Sequence, residues 1–287
     1  MIRIKRSIVV QGAIFLVLLS LPVTARTISI PNEYESIQTG IEAAISGDTV
    51  FVAPGIYCER ITLRTGVILL GSGEDSTILD GSEEGDVVTG ADQSVLSGFT
   101  IRNSGAMYCA VRCQGTSPLI QENRIIRNGA GIICLEGAQP VIEFNIITRC
   151  DDGSDYGTVG VWCDHTSPII RNNTISTNCA RHAVLCDSAF PLIKNNIISD
   201  NWGGIGCFNG AVPTLLYNDV WHNTTFGDYY DCEPGEGSIS QDPLFVDPAA
   251  DDYRLRSDSP CIAAGDPSDE SPSRPRVDIG AIEYEQP

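Results

Sequence analysis

Positive charge is scarce in this chain. Its 287 residues carry 18 Lys and Arg against 37 Asp and Glu, a formal net charge of -19 at pH 7. A surface this acidic repels nucleic acid and anionic membranes, so neither is an expected partner. It repels acidic polysaccharides too, unless a divalent cation stands between the two. Histidine is scarcer still: His165, His182 and His222 are the only three. They lack metal-ligand spacing and read as surface turn residues. No amphipathic segment of helix length recurs along the chain, which excludes helical solenoids and leucine-rich horseshoes with full helices. Gly71-Ser72-Gly73 precedes no long helix, so it reads as a turn and not as a phosphate cradle.

A long apolar run occurs once, at the N-terminus. Arg3, Lys5 and Arg6 precede the stretch Ala13 to Leu21, and Val23-Thr24-Ala25 ends in a small residue. This is the pattern of an export signal, and the run is short for a membrane span. Residues 1–25 are therefore expected to be a signal peptide. Loss of its three basic residues takes the charge from -19 to -22. A secreted, periplasmic or cell-surface location is expected, with no membrane span in the mature chain.

Alignment on proline exposes a repeat. Pro118, Pro140, Pro168, Pro191 and Pro213 each open a short apolar segment that reaches an asparagine five residues on. The spacings are 22, 28, 23 and 22 residues. Each coil continues through β-branched pairs such as Ile125-Ile126, Ile146-Ile147 and Ile197-Ile198. A second polar position follows at Asn128, Cys150, Asn178, Asn201 and Asn223. An alternating segment then ends in cysteine at Cys113, Cys134, Cys163, Cys186 and Cys207. Three strand signals per coil and no helix predict an all-β, right-handed three-sheet parallel β-helix, with residues 26–230 as the solenoid and 231–287 as a C-terminal capping segment or tail.

Stacked coils turn equivalent residues into ladders. Asn123, Asn145, Asn173, Asn196 and Asn218 are expected to form an inward amide ladder, with the asparagines themselves supplying the left-handed turn conformation. The chain has eleven cysteines. The five at the repeat position read as buried core, because they alternate with Val or Ile. Cys232 and Cys261, outside the regular coils, are the expected disulfide partners. Near the start, Asn32 and Glu35 resemble a capping box, which predicts an amphipathic capping helix over 33–46 ended by Gly47.

Ile37-Gln38, Ala44, Gly47-Asp48-Thr49-Val50, Pro54-Gly55, Tyr57, Glu59 and Gly71-Ser72-Gly73 resemble the opening of secreted bacterial proteins of the pectin-lyase-like β-helix superfamily. The later coils resemble its parallel β-helix repeats. Asp242-Pro243-Leu244-Phe245, Ser259-Pro260-Cys261 and Val277-Asp278-Ile279-Gly280-Ala281 resemble a tail found in such proteins. The resemblance implies the fold. It leaves the activity open, because the superfamily includes lyases, hydrolases, epimerases and proteins without assigned chemistry.

The candidate site lies on the cysteine-bearing strands. With cysteine inward, the outward rows are Arg112, Ile133, Trp162, Leu185, Gly206 and Gln114, Leu135, Asp164, Asp187, Phe208. Asp164 and Asp187 sit on successive coils and are the candidate catalytic or cation-holding pair. Trp162 and Phe208 offer stacking surfaces for sugar rings, with Arg112, Arg181 and His182 as polar contacts. The 28-residue coil carries a loop with Asp151, Asp152 and Asp155, which are calcium candidates. The resemblance implies that lyases of this fold use a Lys or Arg base beside calcium-binding carboxylates, and hydrolases three clustered carboxylates. Arg112 has no carboxylate in its row, and only two carboxylates stack, so neither set is complete. The expected function is a non-catalytic module that binds carbohydrate or a surface polymer. A polysaccharide lyase, epimerase or hydrolase is the alternative, and a structural or adhesive surface protein is a third. Calcium is the one cofactor considered, and a monomer is expected.

Overall fold

The computed structural model describes residues 24–151, 153, 158–179, 181–269 and 276–284. The chain winds through three parallel sheets of nine, eight and eight strands, and in each sheet every strand pairs with its equivalent one coil on. This is a right-handed parallel β-helix. The first sheet runs from Thr27–Ile30 to Thr214–Leu216, the second from Gly55–Tyr57 to Asp219–Trp221, and the third from Ile61–Thr62 to Gly227–Tyr230.

The core follows from that register. Ile120, Ile142, Ile170, Ile193 and Leu215 pair in line down the first sheet. Ile125, Ile147, Ile175, Ile198 and Val220 do so in the second. Cys113, Cys134, Cys163, Cys186 and Cys207 form the corresponding column of the third. All are buried. A single coil cannot bury its inner face, so each layer is stable only against its neighbours.

The first asparagine ladder forms as a chain of amides. Asn123 donates to Asn145 at 3.1 Å, and Asn145 to Asn173, Asn173 to Asn196 and Asn196 to Asn218 at 3.0 Å each. Every Oδ1 also accepts a backbone N–H from the preceding coil, and Ser238 ends the stack on the Asn218 N–H. The left-handed conformation falls one residue earlier than expected, on Glu122, Phe144, Asn172, Asn195 and Tyr217. That residue makes the turn with its side chain outward, which frees the ladder asparagine to point in.

The N-terminal cap is shorter than predicted. The helix spans Ile37–Ala43 and starts at Ser36, whose side chain accepts from the Thr39 N–H. Glu59, one coil on, accepts from the Ile37 and Gln38 N–H groups. The first turn is thus capped by a carboxylate distant in sequence, favourable at a helix N-terminus, and Asn32 and Glu35 play no such part. Thr27–Ile30, not anticipated as a strand, pairs with Thr49–Val52 and completes the first sheet.

At the far end the tail turns back along the solenoid. Tyr253 shares its hydroxyl with Thr148 and Thr177, and Arg149 pairs with Asp251. Lys194 pairs with Asp266 and Asp269. All eleven cysteines are free. Cys261 donates to Asp219 at 3.1 Å, and Cys232 packs against the core beside the Ile205 carbonyl. The expected bond between them is therefore not formed, because the two thiols face different surroundings.

Candidate functional site

The outer face of the third sheet gathers the sequence-derived residues in columns. Arg112, Ile133, Trp162, Leu185, Gly206 and Tyr230 form one. Gln114 pairs with Leu135, and Asp164, Asp187 and Phe208 continue from strand to strand. At the N-terminal end of the face, Arg112 is held by Asp86 from the coil before: its Nη2 donates at 3.0 Å, and its Nε contacts the second carboxylate oxygen. Asp86 also accepts from the Cys109 N–H. Arg112 therefore does have a carboxylate partner. It was invisible from the row because Asp86 lies just before the short strand Val88–Thr89. Two open clefts of about 350 and 320 Å³ flank Arg60 nearby, lined by Glu84 among others. Nothing in the sequence marks them, since these early coils lack the regular repeat.

In the middle of the face, Trp162 packs with Ile133, Leu135 and Leu185. Its Nε1–H is buried and has no partner. Asp164 and Asp187 do lie side by side in register. Asp164 contacts His165, while Asp187 accepts from Asn209 at 2.7 Å and from Ser188 at 3.3 Å. Asp151 accepts from the Gly153 N–H. Asp152 and Asp155 lie outside the described residues. Among the described residues, no three His, Cys, Asp or Glu side chains converge to hold a metal ion.

The C-terminal end of the face carries an aromatic cluster. Phe208 and Tyr230 are stacked, with centroids 5.1 Å apart and an interplanar angle of 21°. Arg181 lies over Phe208 at 5.2 Å. His182 is not a turn residue. It opens the strand His182–Asp187, is 1% exposed, and is enclosed by Phe208, Phe226 and Tyr230 at 5.5, 5.7 and 5.7 Å. A Cβ on Gly206 would sit 2.6 Å from its ring, so glycine makes the space in which the imidazole lies flat. Burial, reinforced by the Arg181 charge, lowers the His182 pKa to about 4. The ring is neutral at pH 7, and Nδ1 has no partner. Phe226 and Tyr230, 39% and 47% exposed, complete the patch. They were missed because they follow the last proline-marked coil. The signal was there in Gly227–Tyr230, which continues the third sheet by one strand.

Residues 41–234 match the model of a family described as periplasmic copper-binding protein (NosD). The chain belongs to this family. No curated protein matches the sequence. Among solved structures, the NosD-family chain is similar to pectate lyase Pel9A, at 13% identity and a TM-score of 0.48 over 92% of this chain and 97% of that one. It is also similar to a carrot pectin methylesterase, at 13% and 0.48 over 75% and 88%. An Azotobacter vinelandii mannuronan C-5 epimerase A-module gives 16% and 0.34 over 66% and 75%.

Proposed function

We propose that this NosD-family chain is an extracytoplasmic β-helix protein whose third-sheet face binds a glycan without turning it over. The family is described as periplasmic, which supports the location. Among the described residues, no helix is long and apolar enough to cross a membrane. The observation that carries the reading is the Phe208–Tyr230 stack with Arg181 upon it. Two near-parallel rings stacked on successive coils make an apolar aromatic ledge edged by hydrogen-bonding groups, which suits the C–H face and hydroxyl rim of a sugar ring.

The family description also names copper. Copper sites use thiolate, thioether or imidazole donors. Here His182 is wrapped in aromatic rings, His165 lies beside Asp164, and His222 contacts Asp200. The thiols Cys113, Cys134, Cys163, Cys186 and Cys207 are sealed in the core, and neighbouring thiols together with burial push Cys186 and Cys134 far above the usual thiol range. Among the described residues no three His, Cys, Asp or Glu side chains converge, so they do not form a copper centre within this chain.

A glycan array with the full chain, followed by affinity electrophoresis, tests the proposal. Phe208→Ala or Tyr230→Ala should weaken the best hit by about two- to tenfold each, the loss of a stacking contact of roughly 0.5–1.5 kcal/mol. Binding by no glycan would favour the structural or adhesive alternative. New reducing ends or unsaturated products during incubation would favour an enzyme.

A further inference from the structure

Resting on the glycan-binding reading, we infer that the polymer taken by this face is neutral and hydroxyl-rich, and that polyuronates are turned away. Asp187 stands directly opposite Phe208 in the parallel register, so an acceptor lies beside the stacking ring. Asp164 occupies the same position one coil earlier, about 4.8 Å along the axis. Each uses Oδ1 for its protein contacts, to His165 in one case and to Ser188 and Asn209 in the other. Among the described residues the Oδ2 atoms have no bond, and an ionised carboxylate can only accept. Sugar hydroxyls are donors that match them. A uronate carboxylate is a further acceptor with the same charge.

The wider field points the same way. Asp228 and Asp231 belong to or follow the last strand of this sheet, and the whole chain carries -19. Arg181 has no ion-pair partner among the described residues, but it is a single cation lying over Phe208. Arg112, the other basic residue of the face, is neutralised by Asp86. A polyanion laid along these coils would meet carboxylates on successive strands, at a spacing well inside the screening length of physiological salt. A neutral chain meets no such repulsion.

The test uses the full-length protein in native affinity gels. Laminarin, xyloglucan and galactomannan serve as neutral probes, and polygalacturonate and alginate as anionic ones, each with EDTA and with calcium. Retardation by a neutral polymer and by neither polyuronate is the expected result. Asp187→Asn, which keeps the shape but loses charge and acceptor strength, should weaken the neutral interaction about five- to tenfold and leave the thermal melt unchanged. Tighter retardation by a polyuronate, in EDTA or through calcium, would overturn this inference and leave the glycan-binding reading standing. So would an Asp164→Asn, Asp187→Asn double variant that binds the neutral polymer like the wild type. Retardation by no polymer would take down the glycan-binding reading itself.

Discussion

The second amide ladder has a gap, and filling it should stabilise the protein. Asn178, Asn201 and Asn223 repeat the geometry of the first ladder, with amide contacts of 3.1 and 2.9 Å. One coil earlier the position is Cys150, whose sulfur takes the Asn128 N–H in place of an amide oxygen and whose thiol points at the Thr148 carbonyl, 3.9 Å away. The Asn128 side chain still donates to Ile101 and Ile126. Its own N–H, whose equivalents on Cys150, Asn178 and Asn201 each meet a ladder Oδ1, meets only the weakly accepting Cys150 sulfur. Cys150→Asn replaces that sulfur with an amide oxygen. A net bond is worth roughly 0.5–1.5 kcal/mol, and the new side chain exchanges a weak sulfur contact for such a bond and offers another to the Asn178 amide. Ordering the new side chain and fitting its slightly larger volume offset part of this. The expected gain is about 1–2 kcal/mol, or about 2–4 °C in melting temperature per kcal/mol for a chain of this size. Urea unfolding should show a higher midpoint at an unchanged slope. The mirror experiment is Asn173→Leu, which removes the acceptor of both the Asn145 N–H and its amide. It should cost about 3–5 kcal/mol, as several buried bonds go together. If Cys150→Asn lowers the midpoint, or Asn173→Leu leaves it untouched, the ladders do not contribute stability in the way described.

Two further outcomes are expected. His182 has its pKa lowered to about 4, so between pH 6.5 and 4 the unfolded chain holds a proton that the fold refuses; its contribution to stability is whole above 6.5 and lost as pH falls through that window. Asp219, buried at 0% exposure, has its pKa raised to about 6 mainly by desolvation, so its contribution has the opposite sign and is lost as pH rises from 3.8 through 6. Asp219→Asn should therefore steepen the rise of stability between pH 4.5 and 6.5 by about 1–2 kcal/mol relative to wild type, read from urea midpoints; identical pH profiles would refute the assignment. In the native protein, Cys58 should alkylate quickly and Cys113, Cys134, Cys163, Cys186 and Cys207 slowly, whereas all eleven should react after denaturation without reductant. Mass spectrometry that finds blocked thiols in that denatured sample would show disulfides the fold does not contain.

How much of this was legible depended on direction. Whatever repeats along the axis was readable, because stacking forces equivalent residues into the same surroundings: the asparagines five residues after each proline, the cysteines, and the β-branched pairs all fell where the register places them. What depends on contacts between unlike positions of neighbouring coils, or with the tail, was not. Glu59 caps a helix 22 residues upstream, and Asp86 holds Arg112 from 26 residues before it. The tail's Asp251 reaches Arg149 from 102 residues away. None of these pairs joins equivalent repeat positions, so no alignment of coils could show them. His182 illustrates why the candidate site was only half visible. Its place ahead of the alternating segment, in line with Val159, reads as the turn before the strand, and a turn histidine reads as exposed. It is buried because Gly203 and Gly206 on the next coil leave room and because Phe208, Phe226 and Tyr230 close over it. The solenoid core is thus a one-dimensional property that a sequence displays directly, whereas the outer face is assembled by neighbours chosen independently on each coil. Changes which keep the ladder residues can therefore rebuild that outer face freely, so the proposed glycan binding rests on Asp164, Arg181, His182, Asp187, Phe208 and Tyr230 rather than on the repeat that holds them.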